Sequence, residues 1–267
     1  MTDALERFTT FHGRREAQVK EPFGSLALVL TQWIDAEQTV WGVPGTWAPR
    51  VDGELGLELT ATAADGIRVN DELVDGHVVL GGPGEGAPRI SFSPTQNGTV
   101  IAEDGLSGLR VWDARSEWIE HYGGIDAYEY DPSWVITGKW KPNPAGTEMA
   151  VDKKSGVAKS QIIPGEIEFD RDGHTVSLIT IGTGKALQIV FADETNGEET
   201  YSVGRFLFVV PNPDGTVTMD FNLAVLPPCA FSYNFNCPIP PKQNRLPFPV
   251  RAGEKNVMND EGSLLHH

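Results

Sequence analysis

Short apolar runs separated by turn residues constrain the fold of this chain more than any other feature. The run GLELTA, residues 56–61, alternates apolar and polar side chains, which is the period of a strand with one buried face. Asp-Gly, Gly-Gly and Asn-Gly pairs separate most of the runs, and such pairs form tight hairpin turns. One helix is predicted at residues 2–19, ending before Pro22 and Gly24. The sequence therefore predicts an all-β protein with an N-terminal helix.

The 267 residues are enough for one large β domain or for two smaller ones. An aromatic, loop-like segment between residues 119 and 132 interrupts the strand pattern. We therefore predict an N-terminal helix at residues 1–24, a β-sandwich-like unit at residues 25–115 and a β-barrel-like unit at residues 116–267. The alternative is that the boundary near residue 115 lies inside one continuous sheet.

The formal net charge of −16 limits the partners that the chain can bind. A strongly acidic surface repels phosphate backbones and anionic lipids at long range, so we expect no nucleic-acid and no membrane partner. The N-terminal residues lack the apolar core of a secretory signal, and the longest apolar run, residues 26–34, is too short to span a bilayer. We therefore expect a cytoplasmic protein.

A proline-rich segment near the C-terminus, PPCAFSYNFNCPIPPKQNRLPFP at residues 227–249, contains seven of the 19 prolines and both cysteines. Each proline removes a backbone donor and fixes φ, so this segment can form neither a helix nor a central strand. We call it the strap and expect it to close the open end of the barrel-like unit. Two other interpretations are that it also lines a binding site, or that it docks a proline-reading partner domain.

The segment GRFLFVVPNPDGTVTMDFN, residues 204–222, is predicted to form a hairpin with a Pro-Asn-Pro-Asp-Gly loop. Aspartate is disfavoured inside a strand, so Asp220 needs a partner. Pairing Val209 with Thr216 would place Arg205 opposite Asp220, whereas a register shifted by one residue would place Phe206 there. We favour the first register, because it forms an ion pair.

The order of motifs in the last third of the chain resembles a known family. FADETNGEETY, residues 191–201, is followed by GRF, DFN, PPCAF and then CPIPPKQNRLPFPVRAGEK. This order is similar to that of an uncharacterised bacterial group, the domain of unknown function family 1684. The resemblance implies little about activity. After DFN, where it leads us to expect Arg-Ala-Tyr-Asn, this chain has Leu-Ala-Val-Leu at residues 223–226.

A set of polar residues converges on the predicted C-terminal unit. Two guanidinium groups with amides and a phenol suit a bound carboxylate or phosphate, because arginine makes bidentate contacts with such anions. The alternative is that the arginines only neutralise Asp220 and bind backbone carbonyls. The candidate ligand-binding residues are Tyr201, Arg205, Asp220, Asn222, Cys229, Asn244 and Arg245.

The sequence supports catalysis and metal binding less well than it supports the binding of an anion. Cys229 and Cys237 are two sulfurs without a neighbouring histidine, whereas a zinc site needs four ligands, so no metal is expected. A catalytic Cys229 would need a base or a cation nearby. Carboxylates cluster between residues 193 and 199, although such a cluster is usually a solvated turn. The sequence shows neither a dinucleotide-binding fingerprint nor a phosphate-binding loop, so no cofactor is expected.

These observations lead to one principal hypothesis and two alternatives. We predict that the C-terminal unit binds a small anionic organic molecule, with catalysis left open. The first alternative is a hydrolase that uses Cys229 or a carboxylate in the same pocket. The second is a protein-interaction module that docks a partner through the β-sandwich-like unit or the strap.

Overall fold

The computed structural model describes residues 2–51, 53–84 and 86–266. The chain is mostly β with one long helix, α1, at Thr2–Gln18, so the predicted fold class is confirmed. It divides into two compact units. The N-terminal unit is formed by residues 17–121, and the C-terminal unit by residues 2–16 together with residues 122–266. The assignment of separate domains stays a prediction.

Helix α1 ends in a tight turn that requires glycine. The Leu26 amide donates to the Val19 carbonyl at 3.0 Å, which brings the chain back over the helix end. A Cβ atom at Gly24 would lie 2.4 Å from the Gln18 carbonyl oxygen, so no other residue fits there without a shift. Among the described residues, no helix is long and apolar enough to cross a membrane.

The N-terminal unit contains two antiparallel sheets. Its strands are β1 (Leu28–Ile34), β2 (Thr46–Pro49), β3 (Gly56–Ala61), β4 (Arg68–Val69), β5 (Glu72–Leu73), β6 (Gly76–Gly81), β7 (Ile90–Ser91), β8 (Gln96–Glu103) and β9 (Leu106–Asp113). A short helix, α2 (Glu117–Glu120), follows, and 3-10 turns lie at Ser25–Ala27 and Ala63–Asp65. The strand orders are β1-β9-β8-β7-β4-β5 and β2-β3-β6. The alternation predicted for β3 is confirmed, because Leu57 and Leu59 are both buried in the core of this unit.

The C-terminal unit contains four antiparallel sheets. Its strands are β10 (Tyr122–Ala127), β11 (Val135–Pro142), β12 (Glu148–Asp152), β13 (Ala158–Ile162), β14 (Gly165–Arg171), β15 (His174–Ile179), β16 (Leu187–Phe191), β17 (Arg205–Val209), β18 (Thr216–Asp220) and β19 (Glu254–Asn259). The orders are β15-β14-β11-β18, β16-β17, β12-β13 and β10-β19. The larger sheet and the β16-β17 pair share one core, to which Ile167, Phe191 and Met219 contribute. The barrel expected for residues 116–267 is not found, since the pairings of the described strands leave each sheet open.

The predicted pairing of β17 with β18 is wrong. Strand β17 pairs with β16, with Arg205 opposite Phe191, while β18 pairs with β11, with Asp220 opposite Val135. A turn lies between the two strands, and in this turn the Gly215 amide donates to the Asn212 carbonyl. The prolines on either side of Asn212 provide no amide donor, and the Asn212 amide closes the loop by donating to the Thr216 carbonyl at 2.8 Å.

The strap, residues 227–249, has the irregular conformation that its prolines predict. Its only described helical segments are single 3-10 turns at Pro228–Ala230 and Lys242–Asn244. It is fixed along its length by backbone hydrogen bonds: the Ile239 amide donates to Asp152 at 2.7 Å, and the Leu246 amide donates to Ala192 at 2.8 Å. The strap is therefore bound to the C-terminal unit and does not hang free in solvent.

Helix α1 is held to the C-terminal unit by buried charges. Arg15 Nε donates to Glu254 Oε1 at 2.9 Å and its Nη2 donates to Oε2 at 3.1 Å, while the Glu254 side chain is fully buried. The next residue, Glu16, accepts hydrogen bonds from the Tyr122 hydroxyl and, at 2.8 Å, from the Ile125 amide. The Arg15–Glu254 contact joins α1 to β19, so it connects the first and the last elements of the C-terminal unit in sequence order.

Candidate functional site

Arg205, the first residue of β17, is fully buried and directs its charge into the C-terminal unit. Its Nη2 donates to Asp193 Oδ2 at 2.8 Å and to the Val250 carbonyl at 2.7 Å. Its Nη1 donates to the carbonyls of Ala252 and Glu254 at 2.5 and 3.2 Å. Both terminal nitrogens of the guanidinium are therefore engaged by acceptors of the protein itself.

Asp193, the acidic partner of Arg205, is equally well coordinated. Its Oδ1 accepts from the amide and the hydroxyl of Thr195 at 2.9 and 2.6 Å, and from the Val250 amide at 3.1 Å. Both side chains of this ion pair have no exposed surface. Because a buried pair with all these contacts is already neutralised, Arg205 contributes to the fold and offers little to an anionic ligand.

Asp220 and Asn222 cap a turn, and the predicted Arg205–Asp220 pair is wrong. Asp220 Oδ1 accepts from the amide and the side-chain nitrogen of Asn222 at 3.1 and 2.8 Å. Asn222 in turn accepts from the Asp131 amide at 2.9 Å and donates to the Asp131 carbonyl at 2.9 Å. Asp220 accepts a hydrogen bond from the backbone amide of Asn222 at the start of a 3-10 turn at Phe221–Leu223. This capping role explains why an aspartate lies at the end of a strand.

Asn244 and Arg245 lie side by side in the strap but face different environments. Asn244 is fully buried, where its side chain accepts from the Ile179 amide at 2.8 Å and donates to the carbonyls of Ile179 and Val190 at 3.0 and 2.8 Å. Arg245 is exposed. One of the two arginines is thus inside the unit and the other at its surface, so the structure does not bring two guanidinium groups to one site.

The acidic loop at residues 193–199 is partly fixed by ion pairs. Glu199 accepts from Arg251 Nη2 at 2.7 Å and from the Tyr128 hydroxyl at 2.8 Å. The hydrogen bonds from Arg251 lower the pKa of Glu199 to about 2. Burial, together with the hydrogen bond to Glu199, raises the pKa of Tyr128 to about 12. Asp193 and Glu199 are thus each held in an ion pair, with Arg205 and Arg251 respectively.

Tyr201 opens onto a cavity of about 600 Å³ beside the strap, which we call the strap cavity. Lys154 lines it from the turn after β12, with its Nζ 5.3 Å from the centroid of the Tyr233 ring. Aliphatic side chains such as Val257 and the amide of Asn256 complete much of the wall. The other lining residues are Gly197, Glu198, Thr200, Ser202, Val203, Ala230, Leu264 and His266.

Both cysteines are buried outside the lining of this cavity, and Cys229 contacts both Cys237 and the cavity residue Tyr201. The Cys229 amide donates to Cys237 Sγ at 3.3 Å, and the Tyr201 hydroxyl lies 3.0 Å from the Cys229 carbonyl oxygen and 3.7 Å from its Sγ. Both thiols are free and buried. The described hydrogen bonds of the Cys229 thiol come from Cys237 and Tyr201, and they include neither a histidine nor a carboxylate.

The two thiols differ in acidity. The hydrogen bond from Cys237 lowers the pKa of Cys229 to about 7 against the opposing effect of burial, with help from Tyr201 and the charge of Lys154. The same hydrogen bond, followed by burial, raises the pKa of Cys237. Burial also raises the pKa of Tyr201, so its hydroxyl stays protonated and able to donate. These contacts favour the thiolate of Cys229, which is the form that reacts as a nucleophile.

Of the predicted site residues, Tyr201 lines the strap cavity and contacts the buried Cys229, while the others lie in the core, at a turn or on the surface. Sequence reasoning missed Lys154, Tyr233 and Asn256 as lining residues, because they come from three distant segments without a shared motif. Asp193 could have been found as the partner of Arg205, since it lies in the FADET motif. Among the described residues, no group of three or more His, Cys, Asp and Glu side chains could hold a metal ion.

Comparison with known proteins identifies a family for about half of the chain. Residues 120–255 match the family model described as Protein of unknown function (DUF1684). A similar solved structure is the solution NMR structure of an uncharacterized protein from gene locus rrnAC0354 of Haloarcula marismortui, which is 31% identical. The match covers 50% of this chain and 76% of that chain, with a TM-score of 0.42. The comparison with curated proteins gave no significant match.

Proposed function

The chain belongs to the family of proteins of unknown function DUF1684, and we propose that its C-terminal unit binds a small anionic organic molecule in the strap cavity. The volume of about 600 Å³ suits such a ligand, since small-molecule sites measure roughly 300–1,000 Å³. The rings of Tyr201 and Tyr233 and the side chains of Val257 and Leu264 offer contact area to an organic body.

The observation that carries the proposal is the position of Lys154. Its ammonium group lies 5.3 Å from the centroid of the Tyr233 ring at the wall of the cavity. The charge of Lys154 also lowers the pKa of the buried Cys229 and Cys237 thiols, so this cation favours negative charge in their neighbourhood. A carboxylate or phosphate bound there would pair with this cation, while its organic body would pack on the tyrosines. The cation of the site is thus Lys154 and not Arg205.

Binding assays with matched ligands test this proposal. We would screen benzoate, phenylacetate and hexanoate against the corresponding neutral amides by thermal shift and then by calorimetry. We expect a carboxylate to bind more tightly than its amide. We expect Lys154→Ala to weaken its binding about fivefold, which corresponds to about 1 kcal/mol for one charge-assisted contact.

The matched control is Lys242→Ala, because Lys242 is an exposed lysine of the strap that does not line the cavity. It should leave the affinity unchanged. The proposal would be wrong if none of the carboxylates binds, if the amides bind equally well, or if both lysine variants weaken binding to the same degree.

The two alternative functions and the cytoplasmic location stay predictions. A hydrolase would need a base for Cys229, and its described hydrogen bonds supply none. Docking of a partner by the strap would need its prolines free. The backbone hydrogen bonds of Ile239 and Leu246 instead tie the strap to the C-terminal unit.

A further inference from the structure

Cys229 and Cys237 are held in contact by the strap. Cys229 lies in the 3-10 turn Pro228–Ala230, and its amide donates to Cys237 Sγ at 3.3 Å. The Cys237 carbonyl accepts from the Lys154 amide at 3.0 Å, which fixes the backbone of the second cysteine. A proline adjoins each cysteine, Pro228 before the first and Pro238 after the second. The constrained backbone therefore holds Cys237 Sγ against the Cys229 amide, and the two thiols, eight residues apart in sequence, form a side-chain hydrogen bond.

The surroundings favour the thiolate of Cys229. The Tyr201 hydroxyl lies 3.7 Å from Cys229 Sγ, and the Cys237 thiol also forms a hydrogen bond with it. The ammonium of Lys154 adds a favourable charge. These contacts lower the pKa of Cys229 to about 7 and so favour its thiolate relative to an ordinary thiol.

Access to the pair is narrow. Cys229 is 1% exposed and Cys237 is 5% exposed. Tyr201 and Ala230, which contact or adjoin Cys229, line the floor of the strap cavity. A reagent in the cavity must therefore pass the layer formed by such residues to reach the buried sulfur. A molecule of the size of hydrogen peroxide can cross such a layer more easily than a bulky disulfide.

We propose that Cys229 and Cys237 form a peroxide-sensitive dithiol, in which a small hydroperoxide oxidises Cys229 and Cys237 resolves it to an intramolecular disulfide. This inference is independent of the anionic ligand proposed above. Among the residues that the structure describes, no His, Cys, Asp and Glu group could hold a metal ion, and the hydrogen bonds of Cys229 include no base for acyl transfer. A nucleophilic thiolate next to a protonated thiol is instead the arrangement that thiol oxidation uses.

The reaction balances with hydrogen peroxide as the oxidant. The Cys229 thiolate attacks one peroxide oxygen, so that an S–O bond forms, the O–O bond breaks and hydroxide leaves. The Cys237 sulfur then attacks the Cys229 sulfenic acid, an S–S bond forms, and the displaced oxygen leaves as water with the Cys237 proton. Two thiols are oxidised by two electrons in total, and one peroxide is reduced.

Peptide mapping of the full chain tests the proposal. The protein would be exposed to hydrogen peroxide at pH 7, blocked with N-ethylmaleimide under denaturing conditions and analysed by mass spectrometry. We expect both thiols to disappear together into one disulfide between residues 229 and 237, and dithiothreitol to restore them. The proposal is overturned if the cysteines remain reduced under a dose that oxidises a free cysteine peptide in the same tube, or if they oxidise one by one without a disulfide. This measurement uses the unaltered protein, so it does not depend on the folding of a variant.

Single substitutions assign the roles of the two sulfurs. In Cys237→Ser, the Cys229 sulfenic acid should accumulate and be trapped by dimedone, whereas in Cys229→Ser, Cys237 should resist the same dose. Oxidation of Cys237 at the wild-type rate in Cys229→Ser would overturn the assignment.

Tyr201→Phe should slow the first step about threefold at pH 7 but not at pH 9, because Cys229 is ionised at pH 9 without the hydroxyl. Equal slowing at both pH values would show that Tyr201 does not act through the acidity of the thiol.

Discussion

Replacement of Arg205 by methionine probes the ion pair at the centre of the C-terminal unit. Methionine retains much of the length and volume of the side chain but removes the guanidinium. The carbonyls of Val250, Ala252 and Glu254 would lose their donor, and Asp193 would lose its countercharge. All these contacts are buried, so water cannot replace the lost donors.

The expected loss of unfolding free energy is about 4 kcal/mol. Removal of one partner from a buried pair costs about 3–5 kcal/mol, because the remaining charge stays in a medium of low polarity. Asp193 retains hydrogen bonds from Thr195 and Val250, so we expect the loss of unfolding free energy to stay below the upper end of this range. This range already includes the cost of the three carbonyls left without the Arg205 donor, so that cost is not added a second time.

The chain offers a matched control in Arg251→Met. Arg251 also binds a carboxylate through two nitrogens, but its pair with Glu199 is 57% and 37% exposed. Exposed pairs contribute about 0.2–1 kcal/mol, so this variant should lose little. Hydrogen exchange of the peptides that cover β17 and β19, followed through a urea titration, reports on the C-terminal unit alone. With a slope of about 2–3 kcal/mol per M, Arg205→Met should lower the urea midpoint by about 1.5 M.

The reasoning would be refuted if Arg205→Met lost no more stability than Arg251→Met. A double variant, Arg205→Met with Asp193→Leu, adds a second check. It should regain at least about 1 kcal/mol relative to Arg205→Met, because it leaves no unpaired charge in the core.

Two further predictions concern stability. The pKa of Glu199 falls from its ordinary value of 4.5 to about 2 through its contact with Arg251, so its contribution is complete above pH 4.5 and is lost as the pH falls towards 2. Glu199→Gln should therefore flatten the loss of stability over that window in urea titrations, and an unchanged slope would contradict this. Asn244→Ala should cost about 2–4 kcal/mol by thermal or urea unfolding, because three buried backbone groups lose a partner. Its neighbour Gln243, which is exposed, should tolerate alanine within about 0.5 kcal/mol, and an equal loss in both variants would exclude the role of the Asn244 amide.

Local patterns predicted much of the architecture. The alternation of Leu57 and Leu59 identified β3 with its buried face, and the prolines of the strap excluded regular structure there. Both predictions depend on the preferences of a few adjacent residues, which a sequence displays directly. The resemblance to family 1684 is likewise carried by an ordered set of motifs, and residues 120–255 confirm it.

Such local patterns do not predict which strands and which charged residues pair when they are distant in sequence. The sequence suggested Asp220 as the partner of Arg205 because a short loop joins their strands, yet the strands enter different sheets and Arg205 binds Asp193. Nothing in the neighbourhood of Arg205 distinguishes an arginine that binds a ligand from one that the core neutralises. The strap cavity was missed for the same reason, since Lys154 and Tyr201 are brought together only by the folding of the whole unit.

The contact between Arg15 and Glu254 has a consequence for synthesis on the ribosome. The two residues are 239 positions apart, and the entire N-terminal unit, residues 17–121, is translated between them. Closing so long a loop costs conformational entropy, and the acidic partner does not yet exist while the first unit emerges. The nascent chain can complete residues 17–121 early, whereas helix α1 must wait for this partner until residue 254 has been translated. Any event that halts translation before that point leaves this segment without its docking place.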